Sequence, residues 1–249
     1  MIVQLSDLHL GAPGELSDPL EDAARAFAAV RRLRPRPDAV IVTGDLAEHA
    51  APAEYAHARR LADELGLPVH VIPGNHDRRA AMRASLGLPG APEDPVRFDV
   101  RAGALRVIGC DTLVEGRDEG RLGREGLAWL GARLAEGGDT PTIVALHQPP
   151  VLVGMPFADE IALVADDRAA LADLLAAHPA VRLVTAGHAH LAVRSALGGT
   201  PAMVGPSTWR AAPVLALGDA GVELRAQPAG MLVHALVADE LVSHVQPLG

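Results

Sequence analysis

Apolar runs of four or five residues, at Ile2–Leu5, Ala39–Thr43 and Val69–Pro73, are separated by longer stretches of helical periodicity. Such runs, flanked by turn-forming residues, predict short buried strands. Between the first two, Asp18-Pro19 is a helix start with an N-cap carboxylate and proline in the first turn. The predicted helix runs to about Leu33, with Leu20, Ala24, Phe27 and Val30 on its apolar face. Pro52–Leu65, closed by Gly66, predicts a second helix, and Arg78 to Leu86 a short third one. Gly87–Pro95 reads as loop, followed by a hairpin of strands at Val96–Arg101 and Ala104–Gly109. A helix over Gly123–Leu134, a strand at Ile143–Leu146 and a helix over Asp166–Ala177 come next.

From Val181 the pattern is strand-rich, with runs at Val181–Thr185, Val193–Leu197, Pro201–Val204, Val214–Leu217, Val222–Arg225, Met231–Val237 and Leu241–Val245. Turns at Gly198-Gly199, Gly218–Gly221 and Ala238-Asp239 suggest a meander. The periodicity alone defines an α/β protein. The chain shows no internal repeat or interdomain linker, and its 249 residues fit one large domain.

The polar positions that carry chemistry fall just after the predicted strands. Asp7-Leu8-His9 follows the first, Gly44-Asp45 the second and Gly74-Asn75-His76-Asp77 the third. His147 follows Ile143–Leu146, and Gly187-His188-Ala189-His190 follows Val181–Thr185. Open α/β sheets place their ligands at these strand ends. Two aspartates, one asparagine and four histidines converging there suit two divalent cations of hard to borderline character. Such an ion pair neutralises a phosphate ester and stabilises both entering and leaving oxygens, which marks the chain as a candidate dinuclear hydrolase.

The order D-x-H, G-D, G-N-H-D, H, G-H-x-H resembles the calcineurin-like metallophosphoesterase superfamily from Ile2 to about Trp209. His147-Gln148-Pro149-Pro150 with Val153-Gly154, Asp159-Glu160-Ile161-Ala162-Leu163 and Gly205-Pro206-Ser207-Thr208 resemble segments of one branch. That branch contains the class III cyclic nucleotide phosphodiesterases and the glycerophosphodiesterases. The resemblance implies a four-layer αββα sandwich of two mixed β-sheets flanked by helices. It implies one metal site of Asp7, His9, Asp45 and His190 and another of Asp45, Asn75, His147 and His188, with Asp45 shared. His76 is implied as the acid that protonates the leaving alkoxide, a role suited to an imidazole.

The implied cofactors are two divalent ions, and His and carboxylate ligands accept Mn, Fe, Zn or Co alike. The implied substrate is a small phosphodiester, a 3′,5′-cyclic nucleotide ahead of a glycerophosphodiester. His49, four residues beyond Asp45, is a candidate substrate contact, as are Asp77 and Arg78; Asp77 equally suits a residue that orients its own loop or a cap on the helix at Arg78. For His57, His70, His178, His234 and His244 ordinary structural roles are expected. Trp129 and Trp209 are expected in the core or at an interface. The pattern departs from the branch at Gln148, where a second histidine is usual, and at Leu191, where arginine is common.

Other classes fit less well. Asp45-Leu46-Ala47-Glu48-His49 and Asp77 break the protein-phosphatase pattern of G-D-x-x-D-R-G and G-N-H-E. A net charge of −9 disfavours a nucleic-acid surface. A scaffold that had lost its metals would have lost ligands, and all seven are present. The basic residues are all arginine, which reads as genome composition. Cys110, the single cysteine, sits in an apolar run and predicts a buried structural thiol. No apolar run spans a bilayer, and no signal-like segment precedes the first strand, so a cytoplasmic location is expected. Ala229–Val237 could pair with a second copy to form a homodimer, or close the core as a hairpin.

Overall fold

The computed structural model describes residues 1–217 and 222–248. Its first sheet holds β1 (Ile2–Leu5), β2 (Ala39–Thr43) and β3 (Val69–Ile72), linked by α1 (Pro19–Arg32) and α2 (Pro52–Leu65). After α3 (Arg79–Leu86), the second sheet takes β4 (Phe98–Ala102), β5 (Leu105–Gly109), β6 (Thr142–Ala145), β7 (Val181–Ala186), β8 (Val193–Leu197) and β9 (Thr200–Val204). Helices α4 (Gly123–Glu136), α5 (Pro156–Glu160) and α6 (Ala165–Ala176) connect these strands. A small hairpin of β10 (Ala211–Pro213) and β11 (Leu224–Ala226) precedes β12 (Gly230–Val237) and β13 (Glu240–Pro247).

The sheet orders are β13-β12-β1-β2-β3 and β4-β5-β6-β7-β9-β8. The strands β1, β2 and β3 run parallel, as do β5, β6 and β7, while β12 joins β1 antiparallel. In the second sheet β4 joins β5 antiparallel and β8 joins β9 antiparallel, so both sheets are mixed. The C-terminal hairpin of β12 and β13 completes the first sheet, the closing arrangement that is one of the two alternatives for Ala229–Val237.

Three apolar cores separate the four layers. Val3, Val40 and Val42 face α1 and α2 through Phe27, Val30 and Leu61, while Ile2, Ala39 and Ile41 meet Leu105, Val107 and Ile143 of the second sheet. Val144, Leu146 and Val184 pack on the other side against Leu130, Leu171 and Leu175. Strands buried on both faces need apolar residues at every position, which explains the unbroken runs at 39–42 and 143–146.

Some expected details differ. The buried face of α1 is rotated, with Ala23, Ala26, Phe27 and Val30 inside and Leu20 43% exposed. Asp22 turns inward instead, because its carboxylate accepts the Arg210 amide and binds the Arg25 and Arg210 guanidiniums. The expected strand at Val214–Leu217 is displaced to Ala211–Pro213, and its partner to Leu224–Ala226, where the register pairs Ala212 with Arg225. The turn at Gly218–Gly221 lies outside the described residues. Helix α5 is too short to show a helical period, and was not expected. Cys110 is buried, and burial pushes its thiol up to about 12, far from a nucleophile. Among the described residues no helix is long and apolar enough to cross a membrane.

Candidate metal centre

All five motif loops meet at one end of the sandwich, beyond the carboxyl ends of β1, β2, β3, β6 and β7. The first sheet supplies Asp7, His9, Asp45 and Asn75, and the second supplies His147, His188 and His190. Asp7, His9 and His190 form one cluster with potential ligand atoms within 4.8 Å of one another. Asp45, His147 and His188 form another on the same criterion. Asn75 joins the second cluster through its carbonyl oxygen, 3.1 Å from Nε2 of His147. Asp45 Oδ2 lies 3.6 Å from Nε2 of His9 and 3.3 Å from Nε2 of His147. One carboxylate oxygen thus stands between the clusters.

The imidazoles are aimed for ligation. Nε2 of His9 is 3.0 Å from Nε2 of His190, and Nδ1 of His188 is 3.2 Å from Nε2 of His147. Two nitrogens about 2.0–2.1 Å from one tetrahedral ion stand roughly 3.4 Å apart, so both pairs match a shared cation. The far nitrogen of three rings is engaged: Nδ1 of His9 by Glu48 at 2.6 Å, of His147 by the Thr43 carbonyl at 2.7 Å, and of His190 by the Ala211 carbonyl at 2.7 Å. Such outer contacts fix the tautomer and leave the Nε2 lone pair for a metal. Nε2 of His188 is buried without a hydrogen-bond partner.

Burial and charge oppose each other in this cluster. Burial disfavours the His147 cation, yet Asp45 outweighs it and raises the ring to about 9. Asp45 in turn is held well below the usual carboxylate range, because His147, His9 and His76 overcome its burial. Burial, reinforced by His147, presses His188 down to about 3. Asp45 is thus held ionised and His188 neutral, the forms in which a carboxylate and an imidazole can ligate a cation.

The backbone is bent to make this site. Asp7, His9, Asp45, His188 and His190 all have positive φ, between 44° and 70°. Non-glycine residues avoid that left-handed region, and such strain gathers at functional sites. The glycines of the motifs serve close approach. A side chain on Gly74 would collide with the Asp45 carboxylate and its backbone nitrogen, and one on Gly44 with the His147 ring.

The remaining motif residues hold the loops. Asp77 is fully buried, accepting from the amides of Gly74, Leu46 and Ala47 and from the Tyr55 hydroxyl. It thus faces the loops and not the cleft, and it does not cap α3, whose N-cap is Arg78. Ser207 donates to the Asp7 carbonyl, so the P-S-T segment braces a metal loop, while Asp159 accepts from the Val153 and Gly154 amides and ties the D-x-I-x-L segment to the loop that precedes it. Gln148 accepts from the Thr112 hydroxyl and donates to the Asp118 carbonyl, and the Asp118 carboxylate accepts from Nδ2 of Asn75. The residue that departs from the branch therefore supports the loop that orients a ligand amide.

Beside the clusters opens a cleft of about 270 Å³ lined by Glu48, His49, Asn75, His76, Arg78 and Arg117 among others. His76 stands at its wall, its amide on Asp45 Oδ1 at 2.9 Å and its Nδ1 3.2 Å from the Glu48 carbonyl. A ligand atom of His76 also falls within 4.8 Å of His9 and Asp45. His49 is exposed at the rim, with Nδ1 on Glu54 at 3.0 Å. Arg79 is spent on Asp111 in a two-point pair at 2.8 Å, which leaves Arg78 as the cleft's arginine on this loop.

Two residues escaped the sequence reading. Glu48 gives no sign of its contact to His9 beyond its place three residues after Asp45. Trp209, expected in a core or interface, packs its indole 5.2 Å from the His9 ring and 6.3 Å from the His190 ring. His234, by contrast, is the buried structural histidine expected of its strand.

The comparisons with known proteins agree with this geometry. Residues 1–192 match the family described as calcineurin-like phosphoesterase. The chain is 36% identical over 214 residues to a probable cyclic nucleotide phosphodiesterase of Synechococcus sp., covering 83% of this chain and 80% of that protein. It is 32% identical over 258 residues to a cAMP/cGMP dual specificity phosphodiesterase of Mycobacterium tuberculosis, covering 100% of this chain and 80% of the relative. A dimetal phosphatase from Danio rerio superposes with a TM-score of 0.76 at 15% identity, over 100% of this chain and 96% of the other, a likeness of fold. The chain belongs to the calcineurin-like phosphoesterase family.

Proposed function

We propose that this protein is a dinuclear metal-dependent phosphodiesterase acting on a small diester, a 3′,5′-cyclic nucleotide first among them. The observation that carries the reading is the Asp45 carboxylate oxygen set between His9 at 3.6 Å and His147 at 3.3 Å, one from each cluster. Asp7, His9, Asp45 and His190 would hold one ion, and Asp45, Asn75, His147 and His188 the other. Two divalent ions there would neutralise the diester and supply a hydroxide nucleophile at neutral pH.

The chain's own groups do the rest. Asn75 would ligate through a neutral oxygen and add no charge that weakens the pull on the phosphate. His76, with Nδ1 turned to Glu48, keeps Nε2 for the leaving oxygen and delivers a proton to it. Arg78 and His49 line the leaving side of the cleft and meet the organic part of the ester. The names of the two relatives, a cyclic nucleotide phosphodiesterase and a cAMP/cGMP phosphodiesterase, support the substrate class. Mn, Fe, Zn and Co all suit the donor set.

The test is turnover of 3′,5′-cyclic AMP by protein reconstituted with Mn and analysed for metal, beside an activated bis-aryl phosphodiester. Hydrolysis of both is the expected result. Hydrolysis of the aryl diester alone moves the substrate to another small diester. Two bound ions with no turnover of either overturns the reading.

A further inference from the structure

Between the two sheets a layer of polar side chains separates the apolar core from the metal loops. Side chains alternate along a strand, so Ile2 and Gln4 of β1 share one face, as do Ile41 and Thr43 of β2 and Leu183 and Thr185 of β7. Ile2, Ile41 and Leu183 belong to the apolar core between the sheets. Gln4, Thr43 and Thr185 lie one step nearer the site, and all three are buried. Each is the last position on that face within its strand. They stand three residues before Asp7, two before Asp45 and three before His188.

Gln4 joins this layer together. Its amide nitrogen donates to the Thr43 hydroxyl at 3.0 Å and, across to the second sheet, to the Ala186 carbonyl at 2.8 Å. Its side-chain oxygen accepts from the Thr185 hydroxyl at 2.6 Å, again from the second sheet, and lies 3.3 Å from Nε2 of His234. Both donors and both acceptor positions of the amide are thus filled. Thr43 carries the network toward the site, since its carbonyl meets Nδ1 of His147 at 2.7 Å. Apolar contacts hold two sheets together without direction, whereas a buried and fully bonded polar network admits one arrangement of its parts.

We infer that Gln4 is a positioning residue for the metal centre. By tying β1 and β2 to the end of β7, it sets the distance from Asp7 and Asp45 on one sheet to His188 and His147 on the other. The inference rests on the dinuclear reading, whose own failure shows separately: native protein that binds no pair of ions refutes that reading, whatever Gln4 does.

Gln4→Met keeps the length of the side chain and removes all four contacts. The variant is expected to fold, because the Thr185 hydroxyl has the Met203 carbonyl at 3.2 Å and the Ala186 carbonyl keeps the Gly205 amide at 2.8 Å. Titration with Mn, followed by calorimetry, is expected to show affinity lowered by about tenfold at both clusters. In the electron paramagnetic resonance spectrum, the exchange-coupled signal of the native Mn pair should give way to that of isolated ions. Ile2→Val, on the same face of β1 but farther from the site, is the control. It lowers stability to urea without touching the amide, and should keep native affinity and coupling. Thr185→Val removes one bond between the sheets and serves should Gln4→Met fail to fold, with a smaller loss in the same direction. Native affinity and coupling in the folded variant overturn the inference. An equal loss in Ile2→Val overturns it as well, since the effect would then belong to stability alone.

Discussion

Glu48 Oε2 lies 2.6 Å from Nδ1 of His9 and 3.5 Å from Nδ1 of His76, so one carboxylate oxygen serves a metal-site ring and the ring proposed as acid. His9 is raised by this contact and by Asp45 and Asp7, against the effect of its burial. Glu48→Gln keeps the shape and removes the charge that orients both rings. Outer contacts of this kind are worth about 10- to 100-fold in metal affinity. The variant is expected to lose that much at the His9 cluster while the His147 cluster keeps its ion, as read by stepwise metal titration. Native affinity at the His9 cluster would show that Glu48 only fills space.

The position of His76 yields a kinetic prediction. His76→Ala is expected to retain both metals and to slow substrates with poor leaving groups by about 100-fold or more. Activated aryl esters, whose leaving groups depart without a proton, should be affected far less. A uniform loss across a leaving-group series would refute the acid role.

Gly74 tests the packing of the site against its chemistry. A Cβ there would lie 2.5 Å from the Asp45 backbone nitrogen and 2.6 Å from its carboxyl carbon. Gly74→Ala should leave the circular dichroism of the fold intact and weaken metal binding by about 100-fold or more, since it displaces the shared ligand. Retention of two ions at native affinity would mean that the loop yields where the geometry says it cannot.

Much of this was legible in advance, for reasons that differ by element. The strands at 39–43 and 143–145 are buried on both faces and announce themselves as unbroken apolar runs. The ligand motifs are legible because strained loops demand particular residues, as at Gly44 and Gly74. The inward turn of Asp22 was not legible, because its partner Arg210 lies far along the chain. Glu48 and Trp209 were missed likewise, since a side chain that reaches another loop leaves no local period. Gln148 looked like a simple departure until its contacts to Thr112 and Asp118 were seen.

His234 sets an acid limit on stability. It is fully buried between the sheets, with Nδ1 2.8 Å from the Ser243 hydroxyl and Nε2 3.3 Å from the Gln4 side-chain oxygen. Burial presses the ring down to about 4, against about 6.5 in an unfolded chain. The unfolded state therefore takes up the proton first. The neutral ring's contribution is complete above about pH 6.5 and is lost progressively as pH falls toward about 4, by up to roughly 3 kcal/mol. Urea unfolding of the native chain and of His234→Gln at pH 7.5 and pH 5 should show a smaller acid loss in the variant. Parallel losses would place the acid sensitivity in other groups.

The division of ligands between the sheets has a mechanical meaning. Asp7, His9, Asp45 and Asn75 hang from one sheet, and His147, His188 and His190 from the other, so an ion in either cluster would be a rivet through the seam of the sandwich. Neither half can assemble the pair alone. Catalytic competence would then be a property of the closed seam, since parting the two sheets would separate the ligands of each cluster.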